Sequence, residues 1–426
     1  MKQRYEDFSH DLAWKAADAC FDRKWNRRDV LVFVEKESGV SRRELYAEQL
    51  TNSVNKRLEA TDAVAYYVEE MIEAILSGEE VEDMEKVTVR DRPDGMTGKI
   101  RSIANLCLPH QLLGHVAALA LMPLFRARIL PTQHASIPRR GQTRLKQQVQ
   151  HLLLQKRLGI RCYVKTDVRG AYGNTMYADI IATIEREIPS ATWIIKLLRY
   201  LERYAPDGHL IIGGYLDAWL FNFAMSYALR ATLAAGRWRR GVYHRYVERV
   251  VSYMDDFVLL ARTKTGLRAA LRFLGEWLWS RYRLDIKQTS SILRLCSIEE
   301  ERGRRHCTKP SQRGCPSIDM GGYMIHRTYV TMRPRVCKRV IRDFTRAQHE
   351  IAQDDTIRTR RANSVRSRYG SVKQTDAAYF RRKYGVNVVM LIARAVSSNA
   401  NALLSRRRKE WLNYYVHYGY ESRIYA

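Results

Sequence analysis

Two adjacent aspartates, Asp255 and Asp256, stand in the middle of an apolar run, and no other sequence feature constrains the fold as strongly. Residues 250–253 precede them and residues 257–260 follow. Both flanks are rich in β-branched and aromatic residues, which predicts two short strands with the carboxylates at the turn between them. The alternative is an ordinary hairpin turn with two solvated aspartates, because Asp is common in turns.

The two carboxylates need a cationic partner if they form a site. Neighbouring anions repel each other and lose hydration on burial, so their charges must be neutralised. Mg²⁺ suits this position because it is a hard ion that accepts a few carboxylate ligands and leaves its other positions to water and phosphate. The hairpin therefore predicts a magnesium site.

A third carboxylate, Asp167, ends a segment at residues 162–168 whose alternating pattern predicts a strand. Taken by itself, a strand-end aspartate is more often a helix cap or a turn residue. Metal-assisted phosphoryl transfer, however, uses a pair of cations held by carboxylates. A strand ending in Asp, a helical excursion and then an Asp-Asp hairpin is the chain order expected for such a site. We therefore predict that Asp167, Asp255 and Asp256 are catalytic and bind metal.

The chain is strongly basic, with Lys+Arg 73 against Asp+Glu 45 and a formal net charge of +28 over 426 residues. A field of this sign favours polyanionic partners, of which nucleic acid is the commonest. An anionic membrane is the alternative. The lack of a run of about 18 apolar residues and of a signal-peptide pattern argues against it. We expect no membrane partner and a cytoplasmic location.

The seven cysteines are odd in number and irregular in spacing. This pattern fits a reducing compartment better than a disulfide framework. Cys307 and Cys315, with His306, offer three zinc-ligating side chains, but the eight-residue gap and the missing fourth ligand argue against a zinc site. Buried or idle thiols are expected.

A chain of this length predicts two or three domains. A turn-rich break is expected at 92–95, and the chain from 333 onward is helical and very basic. Its densest charge runs, at 358–361 and 406–409, favour phosphate contact, with a solvated face as the alternative. Apolar periodicity predicts helices at 59–76, 112–125, 142–157, 177–188, 218–233 and 266–282.

Further motifs accompany the aspartates in a fixed order. They lie at residues 98–103, 133–142, 165–172, 212–216, 284–287 and 321–324. Together with residues 253–256, they resemble the motifs of bacterial reverse transcriptases related to group II intron, retron and diversity-generating retroelement enzymes. The likeness covers about residues 95–345. It is strongest to the "unknown group" enzymes, several of which act in defence against phage, because residues 1–90 match nothing in intron enzymes.

The resemblance implies an α/β fold with an α+β palm, arranged as a right-hand polymerase. Residues 1–90 would be an N-terminal helical extension, 91–330 the fingers and palm, and 331–426 a basic helical thumb and C-terminal region. The implied activity is RNA-directed DNA synthesis, in which two Mg²⁺ ions, with Mn²⁺ as a substitute, assist the addition of dNTPs to a primer 3′-hydroxyl.

The resemblance also assigns roles to individual residues. Asp167 and Asp255 would bind the metal ions, with Asp256 supporting them. Tyr172 would exclude a 2′-hydroxyl, with a core tyrosine as the alternative. The remaining nucleotide-binding residues would be Lys99, Arg101, Gly213 and Lys287, and the primer grip would contain Gly322 and Tyr323. For Lys99 and Arg101 the alternative is a solvated pair at a strand edge.

The implied partners are an RNA template, for which a dedicated non-coding RNA is one option, together with dNTPs and the DNA product. A protein partner or a homo-oligomer is also compatible with the family. The physiological role predicted first is cDNA synthesis in antiviral defence. The alternatives are the polymerase of a diversity-generating or other retroelement, and a non-catalytic RNA-binding protein that keeps the polymerase fold.

The template motif departs from the family pattern. Ile212 replaces the usual glutamine, Gly214 stands where relatives commonly have Asn, and Asp217 precedes the helix that carries Trp219. An acidic side chain beside template phosphates is unfavourable unless it is paired. The sequence therefore leaves open whether Asp217 blocks, shapes or ignores the template path.

Overall fold

The structure is a computed structural model that describes residues 7–51, 54–93, 100–287, 291–305 and 315–400. In this part of the chain the fold is mixed α/β, mainly helical, with small sheets. Two compact units are present, Met1–Pro316 and Ser317–Ala426.

Helices form the start of the first unit. They are α1 (His10–Phe21), α2 (Arg28–Ser38), α3 (Arg42–Thr51) and α4 (Asn55–Ser77). The predicted amphipathic helix at 59–76 lies inside α4, which buries Val64, Val68 and Ile72 on one face. Gly78 ends α4 in the left-handed region at φ +89°, a conformation that glycine adopts without steric cost.

A small exposed hairpin and a bent helix pair follow. The hairpin pairs β1 (Thr88–Pro93) with β2 (Ile100–Asn105). The prediction of one continuous helix at 112–125 is wrong, because α5 (Leu108–Ala120) and α6 (Met122–Arg128) meet at a bend of 55°. Pro123, near the start of α6, has no backbone N–H to continue the helix through this point.

Among the described residues, no single helix has the length and apolar character needed to cross a membrane. The bent pair α5 and α6 passes that test jointly, by length and composition only, and most of α5 is buried inside the unit.

A five-stranded sheet within the described chain carries the three aspartates. The strands are β3 (Gln133–His134), β4 (Cys162–Asp167), β7 (Arg249–Tyr253), β8 (Asp256–Ala261) and β9 (Ile292–Arg294). Their order in the sheet is β3-β7-β8-β4-β9, and all neighbours are antiparallel except β3 and β7. The expected strand at 162–168 and the hairpin around 255 are therefore present.

Further helices complete the described part of the first unit. They are α7 (Gln142–Leu154), α8 (Tyr177–Glu187), α9 (Thr192–Glu202), α10 (Tyr215–Ala234), α11 (Lys264–Tyr282) and α12 (Ile298–Arg305). A second exposed hairpin, β5 (Gly236–Arg239) with β6 (Val242–Arg245), lies between α10 and β7. One hydrophobic core joins residues 13–81 to α5, α9, α10 and the sheet. The division at residue 90 remains a prediction.

The second unit has its own core. A meander of β10 (Ile318–Met320), β11 (Tyr323–Ile325) and β12 (Val330–Met332) precedes the helices. The helices are α13 (Pro334–Asp354), α14 (Thr359–Lys373), α15 (Ala378–Lys383) and α16 (Val386–Ala400). Phe344, Val365 and Val389 pack in the centre of this unit.

The basic run at 358–361 is partly neutralised within the second unit. Arg361 Nε lies 3.2 Å from Oε1 of Glu350, and Arg361 Nη1 lies 3.9 Å from Oδ1 of Asp343. These ion pairs account for Arg361 without a phosphate. The run at 406–409 lies outside the described residues.

Candidate active site

Three aspartates meet where β4 ends and where β7 turns into β8. Asp167, the last residue of β4, stands opposite Asp256, the first residue of β8, in the antiparallel register. The backbone N–H of Val168 donates to the carbonyl oxygen of Asp255 at 3.1 Å. The structure thus brings Asp167, Asp255 and Asp256 together at the ends of the interior strands β4 and β8.

The turn that carries the aspartates is held from the neighbouring strand. Met254 adopts φ +55°, a left-handed conformation that is costly for a residue with a Cβ. Its backbone N–H donates to the carbonyl oxygen of His134 at 3.3 Å, and its sulfur accepts a hydrogen bond from Asn222 Nδ2 at 3.4 Å. These contacts from β3 and α10 fix the turn in the strained form.

Electrostatic repulsion is concentrated at the middle aspartate. Burial raises the pKa of Asp255, and the nearby charges of Asp256 and Asp167 raise this pKa further, while Arg101 acts in the opposite direction. Two lysines offset the other carboxylates: Lys165 Nζ lies 3.0 Å from Oδ2 of Asp256, and Lys287 Nζ lies 3.8 Å from Oδ1 of Asp167. The site therefore combines three acidic groups with three cationic side chains.

The chemistry of this donor set fits a hard divalent cation. Carboxylate oxygens are the preferred protein ligands of Mg²⁺, and a cation would relieve the repulsion felt by Asp255. Across the described ranges, no group of three or more His, Cys, Asp and Glu side chains is already arranged to hold a metal ion. Asp167 and Asp255 are the residues that would hold the metal, with Asp256 engaged by Lys165.

Tyr172 lies in the turn that follows β4 and is half-buried. Its ring stacks on Phe221 of α10, with ring centroids 5.1 Å apart and an interplanar angle of 19°. Burial raises the pKa of Tyr172, and the charges of Asp217 and Asp255 raise it further. The ring is therefore held beside the aspartates by a packing contact, which is compatible both with a sugar-excluding role and with a core role.

The predicted phosphate-binding cations are distributed on separate segments. Arg101 is exposed on β2, and its charge reaches Asp255. The backbone N–H of Lys287 donates to the carbonyl oxygen of Asp167 at 2.9 Å, which attaches the segment at 284–287 to the end of β4. Lys99 lies outside the described residues.

Gly213 lies in a loop that contacts the exposed β1–β2 hairpin. The carbonyl oxygen of Ile212 accepts a hydrogen bond from the backbone N–H of Ala104 at 2.8 Å. Gly213 adopts φ +112°, and a Cβ at this position would lie 3.2 Å from Ile103 Cγ2. Both the backbone conformation and the close approach of β2 require glycine here.

Asp217 is buried rather than presented to solvent, with 2% of its surface exposed. Its Oδ1 accepts hydrogen bonds from the Tyr177 hydroxyl and from the backbone N–H of Ile211, both at 2.9 Å. Burial raises the pKa of this carboxyl to about 6. Asp217 therefore fixes the loop at 211–214 to α8 and α10, and its carboxyl is paired within the protein.

A cavity of about 240 Å³ lies behind the same loop. His115 and Tyr215 stack in its wall with centroids 4.0 Å apart, and Lys24 of the N-terminal segment also lines it. None of the three site aspartates is among its lining residues. The carboxylate site thus lies at the ends of β4 and β8 and is not part of this cavity.

The predicted primer-grip residues belong to the second unit. Gly322 adopts φ +86° in the turn between β10 and β11, and Tyr323 pairs with Met320 across that turn. The backbone N–H of Arg333 donates to the carbonyl oxygen of Gly322 at 3.1 Å. The turn is therefore held by contacts within the second unit.

Three side chains at the site were given no role from the sequence: Lys165, Phe221 and Asn222. The period of two along a strand places Lys165 on the same face as Asp167, so this lysine could have been identified from β4 alone. Phe221 and Asn222 could not, because their contacts with Tyr172 and Met254 join segments that are far apart in the chain.

Comparison of the chain with known proteins gives no assignment. No protein-family model matches it, and no curated protein matches it. Functional inference therefore depends on the motifs and on the geometry described above.

Proposed function

We propose that this chain is an RNA-directed DNA polymerase with its catalytic centre at Asp167, Asp255 and Asp256. The observation that supports this most is the register of the sheet, in which the strand-end Asp167 faces Asp256 of the hairpin. In this proposal the five-stranded sheet belongs to the palm, the β1–β2 hairpin to the fingers, and the helices of the second unit to the thumb. A role in antiviral defence rests on the resemblance alone.

The proposed reaction forms a bond between the primer 3′-oxygen and the α-phosphorus of a dNTP, and breaks the bond to pyrophosphate. Bound Mg²⁺ supplies a lowered pKa for the attacking hydroxyl and positive charge near the leaving group. Asp167 and Asp255 would hold the metal. Arg101 and Lys287 would place positive charge near the triphosphate, where fixed cations stabilise the charge that develops in the transition state.

The test is a double variant, Asp255→Ala with Asp256→Ala, assayed for Mg²⁺-dependent dNTP incorporation on a primed RNA template. We expect incorporation to fall by roughly a thousandfold or more, because loss of the metal-binding carboxylates removes the electrostatic stabilisation. Binding of the same RNA, measured in parallel, should persist. Glu276→Ala, which removes an exposed carboxylate of α11, is the matched control.

Unchanged incorporation by the double variant would contradict the proposal. A wild-type protein that binds RNA but incorporates no nucleotide under any metal condition would instead support the non-catalytic alternative.

A further inference from the structure

The hairpin of β5 and β6 projects from the first unit as an exposed two-stranded ribbon. Its four register pairs run from Gly236↔Arg245 to Arg239↔Val242. The two-residue turn consists of Arg240 at φ +50° and Gly241 at φ +74°, the left-handed pair that two-residue hairpin turns favour. An arginine at the first position is strained, since glycine or asparagine is preferred there. The tip nonetheless carries a guanidinium.

The base of the hairpin is fixed by its own contacts. The Tyr243 hydroxyl donates to the carbonyl oxygen of Ala234 at 2.6 Å. A Cβ at Gly236 would lie 2.4 Å from the carbonyl oxygen of His244 and 2.8 Å from Tyr243 Cζ, so only glycine allows this close packing. The hairpin is therefore held in one conformation by specific contacts at its base.

One face of the hairpin presents aromatic rings to solvent. Trp238 is 72% exposed and stands opposite Tyr243, which is 41% exposed. The ring centroids lie 5.4 Å apart. A tryptophan is usually well buried, so an indole held in the open by a cross-strand partner offers a surface for stacking.

The same hairpin is strongly cationic. It contains no acidic residue between 236 and 245. Within the described part of the chain, none of its arginines forms an ion pair; these are Arg237, Arg239, Arg240 and Arg245. Such unneutralised charge beside exposed rings matches the chemistry of a polyanion with accessible bases.

We propose that the β5–β6 hairpin is a docking surface for single-stranded RNA. Trp238 stacks on an unpaired base, and the arginines contact the adjoining phosphates. A duplex is not the occupant, because its bases already stack on each other and leave no ring face open to the indole. The choice of RNA over DNA rests on the proposed function, in which RNA is the template.

This surface is separate from the aspartates. The hairpin is followed in the chain by β7, which begins at Arg249 and ends at Tyr253. The turn that carries Asp255 and Asp256 comes after the Tyr253 end of β7. Four residue steps along a strand span about 13 Å. The hairpin therefore holds RNA away from the reacting atoms, and its loss should affect RNA affinity without removing the capacity to add a single nucleotide.

The test measures binding of a fluorescein-labelled, unstructured 20-nucleotide RNA by fluorescence anisotropy. Trp238→Ala should weaken binding at least about fivefold, and Trp238→Phe should recover most of it, because a phenyl ring still stacks. Arg237→Gln with Arg239→Gln should reduce the slope of log affinity against log salt by about 1.4, at about 0.7 per phosphate contact.

Matched controls lie on α11 of the same unit. Trp279→Ala removes a tryptophan that is 53% exposed, and Arg268→Gln with Arg272→Gln removes two exposed arginines. Neither control should change RNA affinity or the salt slope. In the unaltered protein, an RNA that carries 4-thiouridine should crosslink to Trp238 or Tyr243, which tests the surface even where a variant folds poorly.

Unchanged affinity in the hairpin variants, an equal loss in the α11 controls, or crosslinks that avoid the hairpin would overturn the proposal. A loss confined to single-stranded DNA or to duplex would also overturn it. The outcome is distinguishable from failure of the proposed function: a chain that never incorporates dNTPs can still show hairpin-dependent RNA binding. Conversely, a polymerase that is inactivated by Asp255→Ala can bind RNA independently of Trp238.

Discussion

Lys165 of β4 and Asp256 of β8 are diagonal neighbours in the antiparallel register, with Nζ of the lysine 3.0 Å from Oδ2 of the aspartate. Both side chains are partly exposed, and Lys165 lies on the same strand face as Asp167. The negative charge of Asp256 is therefore offset by Lys165, while the charges of Asp256 and Asp167 both raise the pKa of the buried Asp255. The two aspartates of the hairpin are thus not equivalent.

This pairing predicts coupling between Lys165 and Asp256 in catalysis. Lys165→Met leaves Asp256 as an unpaired anion beside Asp167 and Asp255, and adding Asp256→Asn removes that anion. We expect the double variant to be less impaired than the product of the single effects, with a coupling energy of at least about 0.5 kcal/mol. The measurement is kcat/KM for dNTP incorporation in all four proteins.

Lys156→Met, at an exposed lysine outside the sheet, is the control for loss of a positive charge. Strictly additive effects of Lys165→Met and Asp256→Asn would show that the ion pair has no part in the chemistry.

The stack of Tyr172 on Phe221 predicts a sugar-dependent effect. If the ring blocks the position of a 2′-hydroxyl, Tyr172→Ala should lower the preference for dNTPs over rNTPs by roughly tenfold or more, because the excluding group is gone. Tyr172→Phe keeps the ring and its stacking geometry, so it should preserve the preference. The measurement is the ratio of kcat/KM values for a dNTP and the matching rNTP. An unchanged ratio in Tyr172→Ala would assign the ring to the core.

The sequence predicted those parts of the fold that depend on local pattern. Helices α4 and α8 were predicted from their apolar periodicity, because each buries one face. The strands on either side of the Asp255–Asp256 turn were predicted from their apolar residues. The β5–β6 hairpin was missed, since its exposed, arginine-rich strands bury almost nothing and leave no hydrophobic period. Hydrophobic periodicity arises from burial, so it does not identify an element whose residues are all exposed.

The hydrogen-bond partners of buried polar groups also could not be predicted from the sequence. The sequence left open whether Asp217 blocks, shapes or ignores a template path, and the structure pairs it with Tyr177, 40 residues earlier in the chain. Nothing local distinguishes a buried aspartate from an exposed one at the start of a helix, because Asp is favoured there in either case. Only the tertiary fold supplies the two donors that make burial possible.

The buried carboxyl of Asp217 predicts a pH-dependent stability. Burial raises its pKa from 3.8 to about 6, so the folded chain holds this proton more tightly than the unfolded chain does. The resulting stability is complete below pH 3.8 and is lost as the pH rises through 6. Asp217→Asn keeps an oxygen acceptor for Tyr177 and Ile211 but cannot ionise. The variant should therefore gain stability relative to wild type as the pH rises.

The expected gain reaches at most about 3 kcal/mol at pH 8, from about two pKa units at about 1.4 kcal/mol each. Thermal unfolding of both proteins between pH 4.5 and 8 measures it. A difference that stays constant across this range would mean that Asp217 does not titrate near 6 in the folded chain.

The tight contact between Gly214 and Asp217 predicts a rescue. A Cβ at Gly214 would lie 1.8 Å from Oδ2 of Asp217, so Gly214→Ala must displace the carboxylate from Tyr177 and Ile211. We expect a loss of about 3 kcal/mol for this variant and about 2 kcal/mol for Asp217→Ala, since each leaves buried donors unpaired.

Because both substitutions disrupt the same hydrogen bonds, the Gly214→Ala, Asp217→Ala double variant should lose at least about 1 kcal/mol less than the sum of the single losses. Denaturant unfolding followed by tryptophan fluorescence measures all four proteins. Gly141→Ala is the matched control, because Gly141 also precedes a helix and a Cβ there meets nothing within 4 Å. Full additivity would mean that the methyl group added by Gly214→Ala is accommodated without moving Asp217, and that the loop at 211–214 is not held by this carboxylate.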